Sequence, residues 1–297
     1  MLLQISGVGF SLRPLSGLTL RAPAEEYEPF HGASAGTPEE LLEVSIEIGN
    51  FPDTSGMTNV LGGDGNWSMF TDTGRYVLEW RTPGMPDASR AVCFSRASNT
   101  VTVHCSGASV LRGPGGDSLA NPFSYPIDQI ILMYLLSLRQ GAIVHAAGMM
   151  LRDRVYVFPG RSGAGKSTLS RLLRGSRTIT MLSDDRIILR KIRGQHEGFG
   201  TPWPGDEGIA ENRGGRLGGI FFLRHASENR ISALSAREAL EKLIPVTSIP
   251  WHDSETLSNI LAFCGELVQD IPAYEFSFVP DRSAAELLED FLLRPVR

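Results

Sequence analysis

Residues Gly160-Arg161-Ser162-Gly163-Ala164-Gly165-Lys166-Ser167 constrain this chain more than any other stretch, because they fit G-x-x-x-x-G-K-[ST] at every position. A loop of this kind turns successive backbone N–H groups toward one point, where phosphate oxygens can sit. The flanks agree with the motif. Upstream, Arg154-Val155-Tyr156-Val157-Phe158 is a β-branched and aromatic run that stops at Pro159-Gly160, as a buried strand does. Downstream, Leu169, Leu172 and Leu173 recur at i, i+3 and i+4, and Gly175 can end the helix they imply. Strand, loop and helix in that order bring a helix N-terminus to the loop. In such a loop Gly160, Ser162, Gly163, Ala164, Gly165, Lys166, Ser167 and the following Thr168 surround a nucleotide's phosphates. Lys166 reaches the terminal phosphates and the Ser167 hydroxyl faces Mg²⁺.

The rest of the chain must house this element. Its 297 residues suffice for two modest domains, and a chain of that length buries about three quarters of its unfolded surface without needing a staple. The first ~120 residues differ in texture from the remainder. Runs such as Glu43–Ile48, Tyr76–Trp80 and Thr100–His104 alternate polar and apolar residues. Turn clusters at Gly62-Gly63-Asp64-Gly65 and Gly113-Pro114-Gly115-Gly116-Asp117 punctuate them. This predicts a half-exposed, mostly antiparallel sheet over residues 1–120. A buried linking helix is expected over 121–140, opened near Pro126 and closed near Gly141. Residues 141–297 alternate strand and helix patterns, so the fold class expected is α/β, α+β overall. Ser235 with Glu238, and Ser283 with Glu286, read as capping boxes of later helices. Leu257, Ile260, Leu261, Cys264, Leu267 and Val268 mark an amphipathic helix between them.

Composition narrows the classes of function. A net charge of −5 argues against bulk binding of nucleic acid or anionic membrane. Cys93, Cys105 and Cys264 are odd in number and far apart, which suggests neither a disulfide framework nor a zinc site. Met1-Leu2-Leu3-Gln4 lacks the charged start of a signal peptide, and Ile130–Leu136 is too short to span a bilayer. The expectation is a cytoplasmic protein with reduced thiols and no membrane or nucleic-acid partner.

Phosphoryl transfer needs more than a phosphate loop. Asp184-Asp185 directly follow the strand pattern Thr178–Leu182, at the strand end where open α/β sheets bind ligands. Two adjacent carboxylates can divide the work, one holding a metal ion and one taking a proton, because like charges push their pKa values apart. Without the loop nearby, the pair would read as an ordinary polar turn. His145 lies in the small, apolar run Ile143–Gly148, and is either a satisfied core group or an active-site residue. If this run forms a hairpin with Arg154–Phe158, His145 approaches the loop end. The Gly- and Pro-rich segment Gly200–Gly205 could be a lid or could bind the acceptor. After it, Glu211 could add a metal ligand and Arg213 a phosphate clamp. His196, His225 and His252 have no partner in the pattern.

In this order, His145, Gly160–Ser167, Asp184-Asp185 and Glu211-Asn212-Arg213-Gly214 resemble the catalytic domain of the HPr kinase/phosphorylase family, itself related to ATP-dependent phosphoenolpyruvate carboxykinase. The resemblance spans roughly residues 140–280. It implies ATP and Mg²⁺ as cofactors, His145 in the active site, Asp185 as acceptor of a serine proton, Lys166 on the transferring group, and Ser167, Asp184 and Glu211 about the metal ion. It also implies a peptide or protein partner carrying an acceptor serine, and assembly into homo-oligomers. The chain departs from the family at Thr168, where a glutamate is usual, and across residues 1–120 and 235–293. In this it looks closer to HPr-kinase-like proteins that phosphorylate a serine of a lasso-peptide precursor, and the β-rich region could grip such a peptide by strand addition. A small-molecule kinase, and a nucleotide-sensing module without phosphotransfer, are the competing expectations.

Overall fold

The computed structural model describes residues 1–14, 17–32, 37–62, 66–81, 88–95 and 98–293. Residues 63–65 of one expected turn cluster lie outside them. The chain is mixed α/β and rich in sheet, and it divides into two units, Met1–Leu135 and Leu136–Arg297.

The first unit is built from strands β1 (Leu2–Ile5), β2 (Val8–Pro14), β3 (Thr19–Leu20), β4 (Glu40–Ile48), β5 (Thr58–Gly62), β6 (Trp67–Asp72), β7 (Arg75–Arg81), β8 (Ala88–Ser95), β9 (Thr100–Cys105), β10 (Val110–Leu111) and β11 (Ser118–Leu119). Eight of them form one sheet in the order β1-β2-β4-β9-β8-β7-β6-β5. The alternation that predicted half-buried strands is realised in β4, where Leu42, Val44 and Ile46 are fully buried and Glu43 is exposed. Within this eight-stranded sheet the pairing is antiparallel except along β4, which runs parallel to both β2 and β9. Alternation cannot reveal this. Parallel neighbours need long crossovers, here residues 15–39 and the whole of β5–β8, and nothing local encodes which strand lies beside which. Helix α1 (Ile127–Ser137) closes the unit's core. Its Tyr134 ring lies 4.7 Å from Tyr76 and 5.4 Å from Phe94, and its hydroxyl points at the Met69 sulfur.

The second unit opens with the hairpin β12 (Gly141–Leu151) and β13 (Arg154–Pro159). Helix α2 (Lys166–Leu173), β14 (Ile179–Ser183), β15 (Arg186–Ile192), β16 (Gln195–Phe199), β17 (Gly214–His225), β18 (Arg230–Ala233), α3 (Ala236–Leu243), α4 (Ser254–Asp270), β19 (Ala273–Phe278) and α5 (Arg282–Leu293) follow. An open α/β sheet was the frame in which the paired carboxylates were read. The sheet instead curls on itself: β13, β12, β15, β16 and β17 pair in turn, and β17 returns to pair with β13. Strands β19 and β18 extend it from β17. β12 is antiparallel to β13, β14 and β15 alike.

Strand periodicity assigns each face. Ala142, Val144, Ala146, Val155 and Val157 pack with Ala239, Leu243, Ile260 and Phe263 of α3 and α4. Their sequence neighbours Ala147, Met149, Tyr156 and Phe158 pack with Leu169, Leu173, Ala284 and Leu288 of α2 and α5. With both faces covered, the strands read as near-continuous apolar runs. Helix α3 begins at the expected capping box, Ser235 Oγ accepting from Glu238 N–H while the Glu238 carboxylate accepts from Ser235 N–H (2.9 Å). Helix α5 begins otherwise: Asp281, not Ser283, supplies the capping oxygen, accepting from Ser283 N–H at 2.9 Å.

Candidate functional site

The loop between β13 and α2 takes its form from two glycines. Gly163 and Gly165 hold φ of +82° and +101°, a region L side chains enter only under strain, and Gly165 is the N-cap of α2. A Cβ on Gly165 would also stand 2.6 Å from the Phe278 ring. The first N–H groups of α2 have no carbonyls of their own helix to bond and point out of its N-terminus, where they favour an anion. Lys166 is 6% exposed, and its ammonium donates to the carbonyls of Gly160 (2.8 Å) and Arg161 (3.3 Å). Burial lowers its pKa, and the charge of Asp185 partly opposes that.

Topology brings the carboxylates to this loop. The carbonyl of His145 accepts from Gly160 N–H (3.1 Å), which ties β12 to the base of the loop. β14 and β15 follow one another along β12, separated by Asp184 and Asp185 alone, and the Asp185 carbonyl accepts from Ala146 N–H (3.0 Å). His145 shares the odd-numbered face of β12 with Ala147 and Met149, the face that α2 covers. Its Nε2 is 2.9 Å from Asp185 Oδ1, and Arg186 Nη1 is 3.0 Å from Asp185 Oδ2. Burial acts to raise the pKa of Asp185. The hydrogen bond from His145, with the charges of Arg186, His145 and Lys166, outweighs it and holds the group below its ordinary value.

Asp184 is engaged differently. It is 2% exposed, and its carboxylate accepts the backbone N–H groups of Gly205 (2.9 Å), Glu207 (2.8 Å) and Ile209 (3.2 Å). Thr201 Oγ1 donates to the Arg186 carbonyl (2.7 Å), Trp203 is buried, and Glu207 pairs with Arg171 at 3.3 Å. The segment read as a lid or acceptor-binding loop is therefore tied at Thr201 and at Gly205, and Gly205 with Asp206 forms part of the cavity wall.

That cavity measures about 450 Å³. His145, Ser162, Gly163, Gly165, Lys166, Ser167, Thr168, Asp184 and Asp185 line it, together with Gly205, Asp206 and His225. Gly160 and Ala164 support the loop from behind through backbone bonds. Glu211 and Arg213 do not line it. The segment that carries them bonds along β14, with Glu211 N–H donating to Leu182 O (3.0 Å), and both side chains are exposed. Arg213 instead donates to Thr180 Oγ1 at 3.2 Å. The metal ligand and phosphate clamp expected of these two residues are thus not in the cavity wall. Arg186 and His225 went unassigned in the sequence. Arg186 adjoins the paired carboxylates and so carried a local signal, whereas His225 had none.

Among the described residues, no group of three or more His, Cys, Asp or Glu side chains is arranged to hold a metal ion alone. The Ser167 hydroxyl and one carboxylate on the wall fit Mg²⁺ nonetheless, since that ion keeps waters and takes further oxygens from substrate phosphates. No helix of the described residues is long and apolar enough to cross a membrane.

No protein-family model matches the chain, and no curated protein matches it. Among solved structures, the Hpr(Ser) kinase/phosphatase from Coxiella burnetii is similar over 50% of this chain and 87% of that one, at 12% identity and a TM-score of 0.29. So distant a likeness carries no functional weight, and the chemistry is read from the side chains themselves.

Proposed function

We propose that the second unit is an ATP- and Mg²⁺-dependent phosphotransferase, a kinase that moves the γ-phosphoryl group to a serine-type hydroxyl of a peptide or protein. One observation carries this reading: the Asp185 carboxyl, gripped by His145 at 2.9 Å, stands in the same cavity wall as Lys166 and the α2 N-terminus. A phosphate-binding loop alone is compatible with mere nucleotide sensing. An oriented carboxylate beside it is what transfer to a hydroxyl requires.

In this reading, backbone N–H groups of the loop other than that of Ala164, together with the Lys166 ammonium, hold the donor's phosphates. Asp185 orients the acceptor hydroxyl and takes its proton as the new O–P bond forms and the bond to the β-phosphate oxygen breaks, releasing ADP. A carboxylate of lowered pKa is ionised throughout the neutral range but is a weak base. It suits a loose transition state, in which the proton leaves late, after the hydroxyl oxygen has begun to bond phosphorus. His145 and Arg186 fix its two oxygens. Mg²⁺, held by Ser167 and Asp184, would neutralise charge on the phosphates. Fastened by Asp184, the Gly205–Asp206 wall keeps the cavity's shape while the acceptor binds. In the first unit the sheet ends at β1 and β5; β1 already bridges His31 through Leu3, so an acceptor peptide could pair with the β5 edge.

Incubation with labelled ATP, Mg²⁺ and a pool of host peptides and proteins, followed by mass spectrometry, tests the reading. Wild type is expected to yield a phosphoserine that Asp185→Asn does not, with nucleotide binding retained in the variant. Loss of a general base costs about 10²–10⁴ in turnover. Equal turnover in Asp185→Asn would refute the role of this residue. Nucleotide binding with no phosphorylated peptide or protein would move the acceptor to a small molecule.

A further inference from the structure

His225 belongs to no motif, yet it stands against the centre of the loop. It is the last residue of β17, which runs parallel to β13, so both strands deliver their C-terminal ends to the same side of the sheet. Its register partner on β19 is Phe278, and the two rings lie 5.5 Å apart. Its Nε2 is 3.2 Å from the carbonyl oxygen of Gly163. A carbonyl only accepts, so Nε2 must carry the proton. A Cβ on Gly165 would come within 3.2 Å of the His225 Cε1, and the imidazole also lines the cavity. Thus β17 and β19 together brace the turn of the loop from outside, His225 at Gly163 and Phe278 at Gly165.

We infer that His225 is a positioning residue for the phosphoryl donor; the part concerning the donor rests on the phosphotransferase reading above. Gly163 sits at left-handed φ, and the peptide plane after it is held by two bonds, from Ala164 N–H to the Arg161 carbonyl (3.1 Å) and from the His225 imidazole to the Gly163 carbonyl (3.2 Å). Holding its carbonyl toward β17 keeps that oxygen, with its partial negative charge, away from the place the phosphates would occupy. The bond acts on the loop before any donor arrives, so its loss should weaken donor binding more than it slows the transfer step. Nothing in this inference requires His225 to touch a reacting atom.

Two measurements on His225→Ala and His225→Gln test it, with circular dichroism confirming that each variant folds. Hydrogen exchange without nucleotide reads the order of the turn through the Ala164 amide, which shares the peptide plane of the Gly163 carbonyl and donates to Arg161 O. His225→Ala is expected to speed exchange of the Ala164 amide by about fivefold, the effect of losing one ordinary hydrogen bond from the turn. His225→Gln, which keeps an N–H donor, is expected to restore much of the protection. The second measurement is Mg·ATP affinity and the KM–kcat split. His225→Ala is expected to lose about fivefold in affinity, with the change falling on KM for ATP more than on kcat, and His225→Gln to lie between it and wild type. Unchanged exchange in His225→Ala would overturn the inference, whatever the state of ATP binding. Faster exchange in a wild-type-like protein that binds no ATP would sustain the brace and overturn both the donor role and the phosphotransferase reading. Faster exchange with unaltered ATP affinity would overturn the positioning role alone.

Discussion

Replacing His145 by alanine probes the contact on which the site depends. The imidazole Nε2 and the Asp185 carboxylate are 2.9 Å apart, and their side chains are 25% and 31% exposed. A hydrogen bond to a charged group contributes about 1.5–3 kcal/mol, and partial exposure favours the lower end. About 1.5 kcal/mol of lost transition-state stabilisation corresponds to roughly tenfold in kcat/KM. The pH axis supplies a second reading with a definite sign. Burial raises the Asp185 pKa, while the bond from His145 is the largest of the influences that lower it. Without His145, burial acts against Arg186 and Lys166 alone and the pKa rises. Activity needs the ionised carboxylate, so the acid limb of kcat/KM should move to higher pH. Stability follows the same linkage. A carboxylate whose folded pKa lies below its unfolded value of about 3.9 adds stability above that pH, and the contribution is lost as pH falls through the folded pKa. The difference in Tm between wild type and His145→Ala should therefore narrow at acid pH. Initial rates between about pH 4 and 8, with parallel melting curves, make the measurement. An acid limb that does not move, with rates within about twofold of wild type, would refute the claim that His145 organises Asp185.

Three further perturbations test other parts of the site and core. Asp184→Ala removes the acceptor of three backbone N–H groups and should cost about 2–3 kcal/mol, seen as a lower Tm and faster proteolysis within residues 203–209. Wild-type resistance to protease in that segment would show that the carboxylate does not hold the wall. Gly165→Ala places a Cβ 2.6 Å from Phe278 at φ +101° and should cost about 1–3 kcal/mol in strain, with at least about tenfold weaker nucleotide binding by calorimetry. Unchanged affinity would separate the loop's conformation from phosphate binding. The Cys264 thiol is 1% exposed and burial pushes its pKa up to about 11. Iodoacetamide at mildly alkaline pH should thus label the half-exposed Cys93 well before Cys264, and peptide mapping that finds Cys264 labelled first in the native protein would contradict the packing of α4.

Local physical chemistry wrote much of this protein into its sequence. The octet Gly160–Ser167 prescribed a strand, a left-handed turn and a helix, because few other sequences satisfy φ > 0 at two nearby positions and then start a helix. Period-two alternation fixed which residues of β4 face the core, and the Ser235–Glu238 pair fixed the start of α3. Helix α5 shows the limit of such signals, since Asp281 offered an equally good cap two residues earlier and took it.

Where strands lie side by side is a property of the whole chain, and there the sequence was silent. Nothing near Glu211 announced that its backbone would be spent on β14, which leaves Glu211 and Arg213 outside the cavity wall. Nothing near Gly200–Gly205 announced that Asp184 would fasten the loop they begin, for that bond joins residues about twenty apart. The parallel pairing of β4, the return of β17 to β13 and the arrival of His225 beside Gly163 were likewise decided only by the tertiary structure. The reason is the range of the forces involved. Turn geometry, capping and amphipathic period act over a few residues and can be read directly, whereas strand order is settled by which distant apolar faces bury one another, a choice made by the packed core as a whole.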